Sequence, residues 1–231
     1  MSESTFEARL KTYFALAESC PELFVNPEGG VRILLDPEDI AAVENAKTLD
    51  LAGRGFPQDA AHVGVMLRDP WVTVIRDAVE FADGSRRLHT RVVSRINNGS
   101  AVLPVMDGKI VLVRHFRHAL RHTILEIPRG GIEPGHTPEQ TAHAEIREEI
   151  GGAIRHLVAM GFLYGTTNIV GNGAHLFFAE LASVGTPQIG EGIESIERYS
   201  VAEFEELLRL GDIVEAFTVA AYAHAKLLGL I

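Results

Sequence analysis

Three glutamates on a predicted helix are the side chains whose spacing best suits chemistry. They are Glu145, Glu148 and Glu149, and at about 100° of rotation per residue they share an arc of roughly 100°. Upstream, Gly130 and Gly131 form a turn in which small residues permit a tight backbone approach. Two carboxylates ~5 Å apart repel by about 3 kcal/mol at an effective dielectric of ~20, a cost that a divalent cation removes. Oxygen ligands of this kind suit Mg²⁺ or Mn²⁺. A simply solvated acidic face is the competing interpretation, and the glycine turn weighs against it.

The helix that carries these glutamates has clear start and stop signals. Thr137 is a favourable N-cap, Pro138 suits the first helical position, and Gln140 completes a capping box. Gly151 and Gly152 mark its end. The apolar positions that can face a core lie on the neighbouring arc and are Ala142, Ile146 and Ile150.

Composition limits the partners of this surface. The chain has 231 residues, enough for one large domain or a domain with an accessory segment. Its formal charge of -10 argues against binding to a nucleic acid polymer, whereas a small anionic substrate can bind through a metal bridge. Cys20 is the only cysteine, which excludes an intramolecular disulfide and predicts a cytoplasmic setting. The N-terminus lacks a secretory apolar core, and no uncharged apolar run reaches the ~18 residues of a membrane span.

The first part of the chain, residues 1–65, is predicted to be a mainly helical accessory segment. Apolar residues recur at helical spacing from about Thr5 to Ser19, and Asp36 before Pro37 indicates a second helix start. Simple packing on the main domain is one interpretation of this segment. A contribution to a dimer, or a cover over the site, is the other.

From Trp71 onward the hydrophobic period changes to two, which predicts strands. Further strands are expected at residues 156–163 and 174–181, and Ser200 and Asp212 are predicted to cap two closing helices. The signals that predict consecutive antiparallel hairpins are Asp83-Gly84, Asn98-Gly99 and Asp107-Gly108.

This order of elements predicts an α/β fold with a mixed sheet that is covered by helices on both faces. The main domain is expected to span residues 66–231, with residues 66–100 as its N-terminal strand region. Residues 130–152 hold the glycine turn and the acidic helix, and they are called the box below.

The box resembles the signature of the Nudix hydrolases, G-x5-E-x7-R-E-U-x-E-E-x-G-U, where U is aliphatic. Gly130, Glu145, Glu148, Glu149 and Gly151 occupy their expected positions, and the sequence between them supplies an aliphatic residue. The positions that depart from the pattern are its first glutamate, its arginine and its last aliphatic residue, which are His136, Ala144 and Gly152 here.

The resemblance implies an α/β/α sandwich over roughly residues 70–231. The run VRHFRHA, the run LEIPRG before the box and a strand pair around Trp71 are similar to the branch that contains ADP-ribose pyrophosphatases and other nucleoside diphosphate sugar hydrolases. In that branch the early strands often contribute to a homodimer, so the resemblance also implies a homodimer.

The resemblance further implies roles for individual residues. Glu145, Glu148 and Glu149 are the implied metal ligands and catalytic residues, with the backbone carbonyl of Arg129 completing the site. The implied substrate-binding residues are Arg117, Arg129, Gly130 and Gly131, although an arginine in a loop is equally often a surface residue.

A catalytic glutamate that activates water is implied near GEGIES, which contains Glu191 and Glu194. An exposed acidic loop is the competing interpretation. His136 and Ala144 replace a glutamate and an arginine that pair in the family, and replacing both members of a pair can be close to neutral. A second interpretation places His136 in the metal site.

Two functions follow as hypotheses. The first is metal-dependent hydrolysis of the diphosphate bond of a nucleoside diphosphate sugar such as ADP-ribose, giving a nucleoside monophosphate and a sugar phosphate. The alternative is a noncatalytic Nudix-fold module that binds a nucleotide and regulates a partner, and it is motivated by His136 and Ala144.

Overall fold

The computed structural model describes residues 3–94, 96, 98–188, 190 and 192–231. The α-helices in this part of the chain are α1 (Glu3–Ser19), α2 (Pro37–Gly53), α3 (Pro138–Ile150), α4 (Val201–Leu210) and α5 (Ala216–Leu227). Short 3-10 helices occupy Pro21–Phe24 and Gln58–Ala61. The strands are β1 (Arg32–Ile33), β2 (Gly64–Arg68), β3 (Val72–Glu80), β4 (Arg86–Ser94), β5 (Asn98–Met106), β6 (Lys109–Arg117), β7 (His122–Glu126), β8 (Arg129–Gly131), β9 (Ala153–Tyr164), β10 (Gly173–Ser183) and β11 (Ile193–Ser200). None of the described helices is long and apolar enough to cross a membrane.

The chain divides into two compact units. The first comprises Met1–Arg95 with Asn168–Val170, and the second comprises Ile96–Thr167 with Gly171–Ile231. The Nudix domain was expected to begin at residue 66, and that boundary stays a prediction.

The first unit contains both predicted N-terminal helices and a small antiparallel sheet. Strand β3 pairs with β1, β2 and β4. Asp36 caps α2 as predicted, because its side chain accepts hydrogen bonds from two backbone N–H groups of the first turn. The buried carboxylate of Asp77 accepts hydrogen bonds at 2.6 Å from Tyr13 Oη and from Arg91 Nε, so this charge is paired inside the core.

The second unit is built on a seven-stranded sheet. Its main strand order is β11-β6-β5-β10-β9, and β7 and β8 pair with β6 and β5. The β5–β10 pair is parallel and the other pairs are antiparallel, so the sheet is mixed as predicted. Helix α3 packs on one face, where Ala142 and Ile146 meet Phe177, and α4 and α5 pack on the other, where Phe204 and Tyr222 join the core. The predicted α/β/α sandwich is confirmed.

Two of the three predicted hairpin turns are confirmed. Asp83-Gly84 joins β3 to β4, and Asp107-Gly108 joins β5 to β6 with both residues at positive φ. The prediction for Asn98-Gly99 is wrong, because both residues belong to β5, which lies there between β8 and β10. A Cβ atom on Gly99 would lie 2.5 Å from the carbonyl oxygen of Gly130, so this glycine permits close strand approach instead of a turn.

The two closing helices are confirmed, but one of their predicted caps is wrong. Ser200 caps α4 with the expected capping box. Helix α5 is capped by Glu215 and not by Asp212, since the Glu215 carboxylate accepts hydrogen bonds from the N–H groups of Phe217 and Thr218. Asp212 instead donates its backbone N–H to Leu207 and helps to end α4.

The ends of α3 form as the sequence predicted. Thr137 Oγ1 accepts the N–H of Gln140, and Gln140 Oε1 accepts the N–H of Thr137. Gly151 ends the helix in the left-handed region, at φ 59°. These caps fix the first and last residues of the helix that carries the glutamates.

We expect Gly151→Ala to destabilise the protein more than Gly211→Ala does. Both glycines end a helix at positive φ, where an alanine costs about 1–2 kcal/mol. A Cβ atom on Gly151 would also lie 2.6 Å from the backbone nitrogen of Thr186, which adds about 1–3 kcal/mol of overpacking, whereas Gly211 has open space. Urea denaturation measures both free energies of unfolding, and equal losses would contradict the close approach.

Candidate active site

The two glycines of the box lie against the acidic helix, but they belong to a strand and not to the predicted turn, because they pair with β5. Gly130 and Gly131 form part of β8, and a Cβ atom on Gly130 would overlap the carboxylate of Glu145. A Cβ atom on Gly131 would overlap the side chain of Ile96. The strand therefore needs glycine at position 130 to accommodate the carboxylate of Glu145 and at position 131 to accommodate Ile96.

Glu149 is the buried glutamate of the box. Its side chain is 3% exposed, and Oε2 accepts a hydrogen bond of 3.2 Å from the backbone N–H of Arg129. Burial and then the like charge of Glu145 raise the pKa of Glu149 to about 8. Burial and the neighbouring charge of Glu145 therefore both disfavour the charged form of Glu149.

Glu148 lies in a different environment from its two neighbours. Its side chain is 38% exposed, and one oxygen is 3.4 Å from a guanidinium nitrogen of Arg147. In the described part of the chain, no three His, Cys, Asp or Glu side chains form a group that could hold a metal ion. The structure thus brings Glu145 and Glu149 together and leaves Glu148 at the surface of the same helix.

A second buried carboxylate, Glu126, lies at the end of β7. It is fully buried and lies close to three cationic or polar side chains. Arg117 Nε donates to Glu126 Oε1 at 2.7 Å, and His115 Nδ1 lies 3.1 Å from the same oxygen. Arg129 Nη2 lies 3.3 Å from Glu126 Oε2. Burial alone would raise its pKa, but His115 and the charges of Arg117 and Arg129 hold the pKa of Glu126 below its usual range. Glu126 is therefore charged and fully surrounded.

His115 connects the two buried carboxylates. Its Nδ1 atom is 3.1 Å from Glu126 and 3.8 Å from Glu149, and its side chain is 8% exposed. Residues 113, 115 and 117 of β6 share the face that Glu126 occupies on β7, because side chains alternate along paired strands. The strand pair thereby sets the positions of His115 and Arg117 relative to Glu126.

The predicted substrate-binding residues line one open cavity of about 290 Å³. Arg129 is also held on its far side, where the ring of Phe217 lies 5.8 Å from its guanidinium carbon and Glu215 lies 3.6 Å from Nε. The other residues around the cavity include main-chain and small polar groups suited to a polar ligand. Its lining comprises Ile96, Asn98, Gly99, Ser100, Arg117, Arg129, Gly130, Gly131, Asn172, Gly173, Ala174 and Phe217.

Sequence reasoning did not single out Glu126, Glu215 or Phe217. A signal for Glu126 was present, because it is a charged residue within the otherwise apolar run TILEI, and a charge in a buried strand needs a partner. No comparable signal marked Glu215, because the sequence predicts Asp212 as the cap of that helix.

The structure describes one of the two predicted catalytic glutamates outside the box. Glu194 is exposed and lies at the start of β11, so its predicted loop position is wrong, and its Oε1 accepts a hydrogen bond of 2.5 Å from Thr123 Oγ1. The register between β11 and β6 shifts between Ile193 and Ser195, which is where Glu194 lies. Glu191 lies outside the described residues.

The loop at His136, where the family pattern has its first glutamate, is braced by other groups. His136 is exposed and donates its backbone N–H to the carbonyl of Glu133 at 3.0 Å. Ser100 Oγ donates to the carbonyl of Pro138 at 2.8 Å and so ties the start of α3 to β5. Together with the capping box, these contacts hold the loop to the helix.

Comparison with known proteins gives two relatives named for ADP-ribose or ADP compounds and one named for another role. The chain is 42% identical over 85 residues to "ADP-ribose pyrophosphatase" of Bacillus subtilis (strain 168), which covers 36% of this chain and 46% of that protein. It is 27% identical over 90 residues to "ADP compounds hydrolase NudE" of Escherichia coli (strain K12), covering 39% and 48%. It is 37% identical over 76 residues to "Methanol dehydrogenase activator" of Bacillus methanolicus, covering 32% and 40%. The chain thus matches less than half the length of each of these relatives.

A solved structure and a family model agree with the fold. The crystal structure of an ADP compounds hydrolase superposes with a TM-score of 0.63 at 23% identity, covering 71% of this chain and 90% of that one. The family model described as the NUDIX domain matches residues 97–218, which is more than half of the chain. On this match the chain belongs to the Nudix family.

Proposed function

We propose that this chain hydrolyses the diphosphate bond of a nucleoside diphosphate sugar, with ADP-ribose as the first candidate. Water adds to one phosphorus while the bridging P–O bond breaks, giving a nucleoside monophosphate and a sugar phosphate. The observation that carries the proposal is that Arg117, Arg129 and the glycines of β8 line one cavity, and that Gly130 lies against the carboxylate of Glu145. The proposal is also supported by the names of the relatives that act on ADP-ribose and ADP compounds.

We propose that the carboxylates of the box hold a divalent cation, Mg²⁺ or Mn²⁺. Burial and the charge of Glu145 raise the pKa of Glu149, and a cation between the two carboxylates would remove their repulsion. Glu148 and the backbone carbonyl of Arg129 are the further proposed ligands. A bound cation would act as a Lewis acid on the phosphoryl group and lower the pKa of water.

The remaining residues bind and orient the substrate. Arg117 and Arg129 each present a planar guanidinium that suits phosphoryl oxygens, and the glycines let the backbone approach the ligand closely. Glu194 and Glu191 stay the candidates for the group that accepts a proton from the attacking water. Thr123 limits the orientations of Glu194 through its hydrogen bond.

The assembly and location are part of the same proposal. We expect a homodimer, on the similarity to a branch whose early strands contribute to dimers. A cytoplasmic location stays a prediction that depends on the single cysteine.

A noncatalytic regulatory module is the second candidate. It is favoured by the relative named as a methanol dehydrogenase activator and by the replaced pair at His136 and Ala144. Product formation separates the two candidates. A regulatory module is stabilised by a nucleotide ligand but does not convert it to product.

We expect Glu149→Gln and Glu148→Gln each to lower kcat/KM for ADP-ribose at least about 100-fold, because each removes a proposed ligand charge. Glu139→Gln is the matched control, since Glu139 is exposed on the first turn of the same helix, and it should stay within about twofold of wild type. Turnover is measured with Mg²⁺ or Mn²⁺ by product-resolved chromatography. No turnover of any nucleotide sugar by the wild type would contradict hydrolysis, and unchanged turnover in both variants would contradict the proposed roles of Glu148 and Glu149.

We expect Gly130→Ala to abolish the rise in Tm that Mn²⁺ produces in the wild type. A ligand at 100 times its Kd adds about 2.7 kcal/mol of stability, and the new Cβ atom displaces the Glu145 carboxylate that would bind the ion. Gly171→Ala is the control, because a Cβ atom there meets open space. The proposed metal site is wrong if Gly130→Ala keeps the full rise in Tm.

A further inference from the structure

We infer that Glu126 is a positioning residue that holds Arg117 and Arg129 in the orientation in which they bind a diphosphate. The inference rests on the proposed function, in which these arginines contact the phosphoryl oxygens. Glu126 itself lies beneath the arginines and is fully buried, while their side chains are 25% and 29% exposed. The carboxylate thus has no access to a ligand, and its effect passes through the two guanidinium groups.

The contacts of Glu126 fix one side of each arginine. Glu126 Oε1 lies 2.7 Å from Nε of Arg117 and 2.5 Å from its Nη2. These contacts occupy one edge of the guanidinium and leave its third nitrogen for another acceptor. Glu126 Oε2 lies 3.3 Å from Nη2 of Arg129. One carboxylate therefore aligns two cations that line the same cavity.

Arg129 is also tied to the acidic helix. Its backbone N–H donates to Glu149 while its guanidinium contacts Glu126, so one residue links both carboxylates. On the other side, Glu215 lies 3.6 Å from Nε of Arg129, and Thr218 Oγ1 accepts the N–H of Ile127 at 3.0 Å. These contacts hold residues 126–129 between α3 and α5, which fixes the distance from the arginines to the box.

Positioning and simple neutralisation make opposite predictions. A carboxylate that only neutralised the arginines would compete with an anionic ligand, so removing its charge would tighten binding. A carboxylate that orients them lowers the entropy lost when they bind, so removing it weakens binding. The sign of the change in ligand affinity separates the two roles.

The test measures the Kd of inorganic pyrophosphate by calorimetry in EDTA, so that neither turnover nor metal affects the result. We expect Glu126→Gln to raise the Kd at least about tenfold and Glu126→Asp, which keeps the charge, to raise it less. Glu197→Gln is the matched control, because Glu197 accepts a hydrogen bond from Arg114 on β6 and is not among the residues around the cavity, and its Kd should equal that of wild type. If Glu126→Gln does not fold, Glu126→Asp decides, and a Kd equal to that of wild type overturns the inference.

A double variant separates positioning from a loss of folded structure. In an Arg129→Ala background, Glu126→Gln should raise the Kd by a smaller factor than it does in the wild type, since one of the oriented groups is already gone. Equal factors in the two backgrounds, tighter binding by Glu126→Gln, or no binding by the wild type would overturn the inference. If pyrophosphate binding depends on Glu126 but the chain has no hydrolase activity, the proposed hydrolysis is wrong and the positioning role of Glu126 stands.

Discussion

A carboxylate with no exposure to water must be surrounded by charge and hydrogen-bond donors, and Glu126 imposes that requirement on the site. Its partners come from different elements: Arg117 and His115 from β6, and Arg129 from β8. Removing one partner from a buried ionic group leaves the others stranded, which typically costs about 3–5 kcal/mol. The position of the cavity arginines is therefore a consequence of how the fold accommodates one buried charge.

The second requirement is that the backbone of β8 lies close to β5 and to α3, and glycine residues make both approaches possible. Gly99 lets β5 approach the carbonyl of Gly130, and Gly130 in turn accommodates the carboxylate of Glu145. Each position excludes a side chain for a steric reason that does not involve a turn. The glycines thus bring β5, β8 and α3 to short distances, and the carboxylate of Glu145 lies against Gly130, which lines the cavity.

The sequence allowed the periodic elements to be predicted, because caps and hydrophobic periods act locally. Thr137 and Gln140 specify the start of α3 without help from the rest of the fold, and Ser200 does the same for α4. Asn98-Gly99 was mistaken for a turn because the need for glycine there comes from β8, about 30 residues away in the chain. Asp212 was predicted to cap α5, whereas Glu215 caps it, because the cap position depends on where the helix begins in the fold. The need for glycine at Asn98-Gly99 comes from a contact between distant residues, which a local pattern does not record.

The two buried glutamates of the site differ in charge because their neighbours differ. Both lie within 3.8 Å of His115 Nδ1, yet the pKa of Glu126 is lowered while that of Glu149 is raised to about 8. Glu126 contacts two guanidinium groups directly, whereas Glu149 has one backbone N–H group and the like charge of Glu145. The two guanidinium groups thus favour the charged form of Glu126, while burial and the charge of Glu145 outweigh the influence of Arg117 on Glu149. The divalent cation that we propose at the box would favour the charged form of Glu149, and the diphosphate that we propose at the neighbouring arginines would supply further oxygen ligands to it.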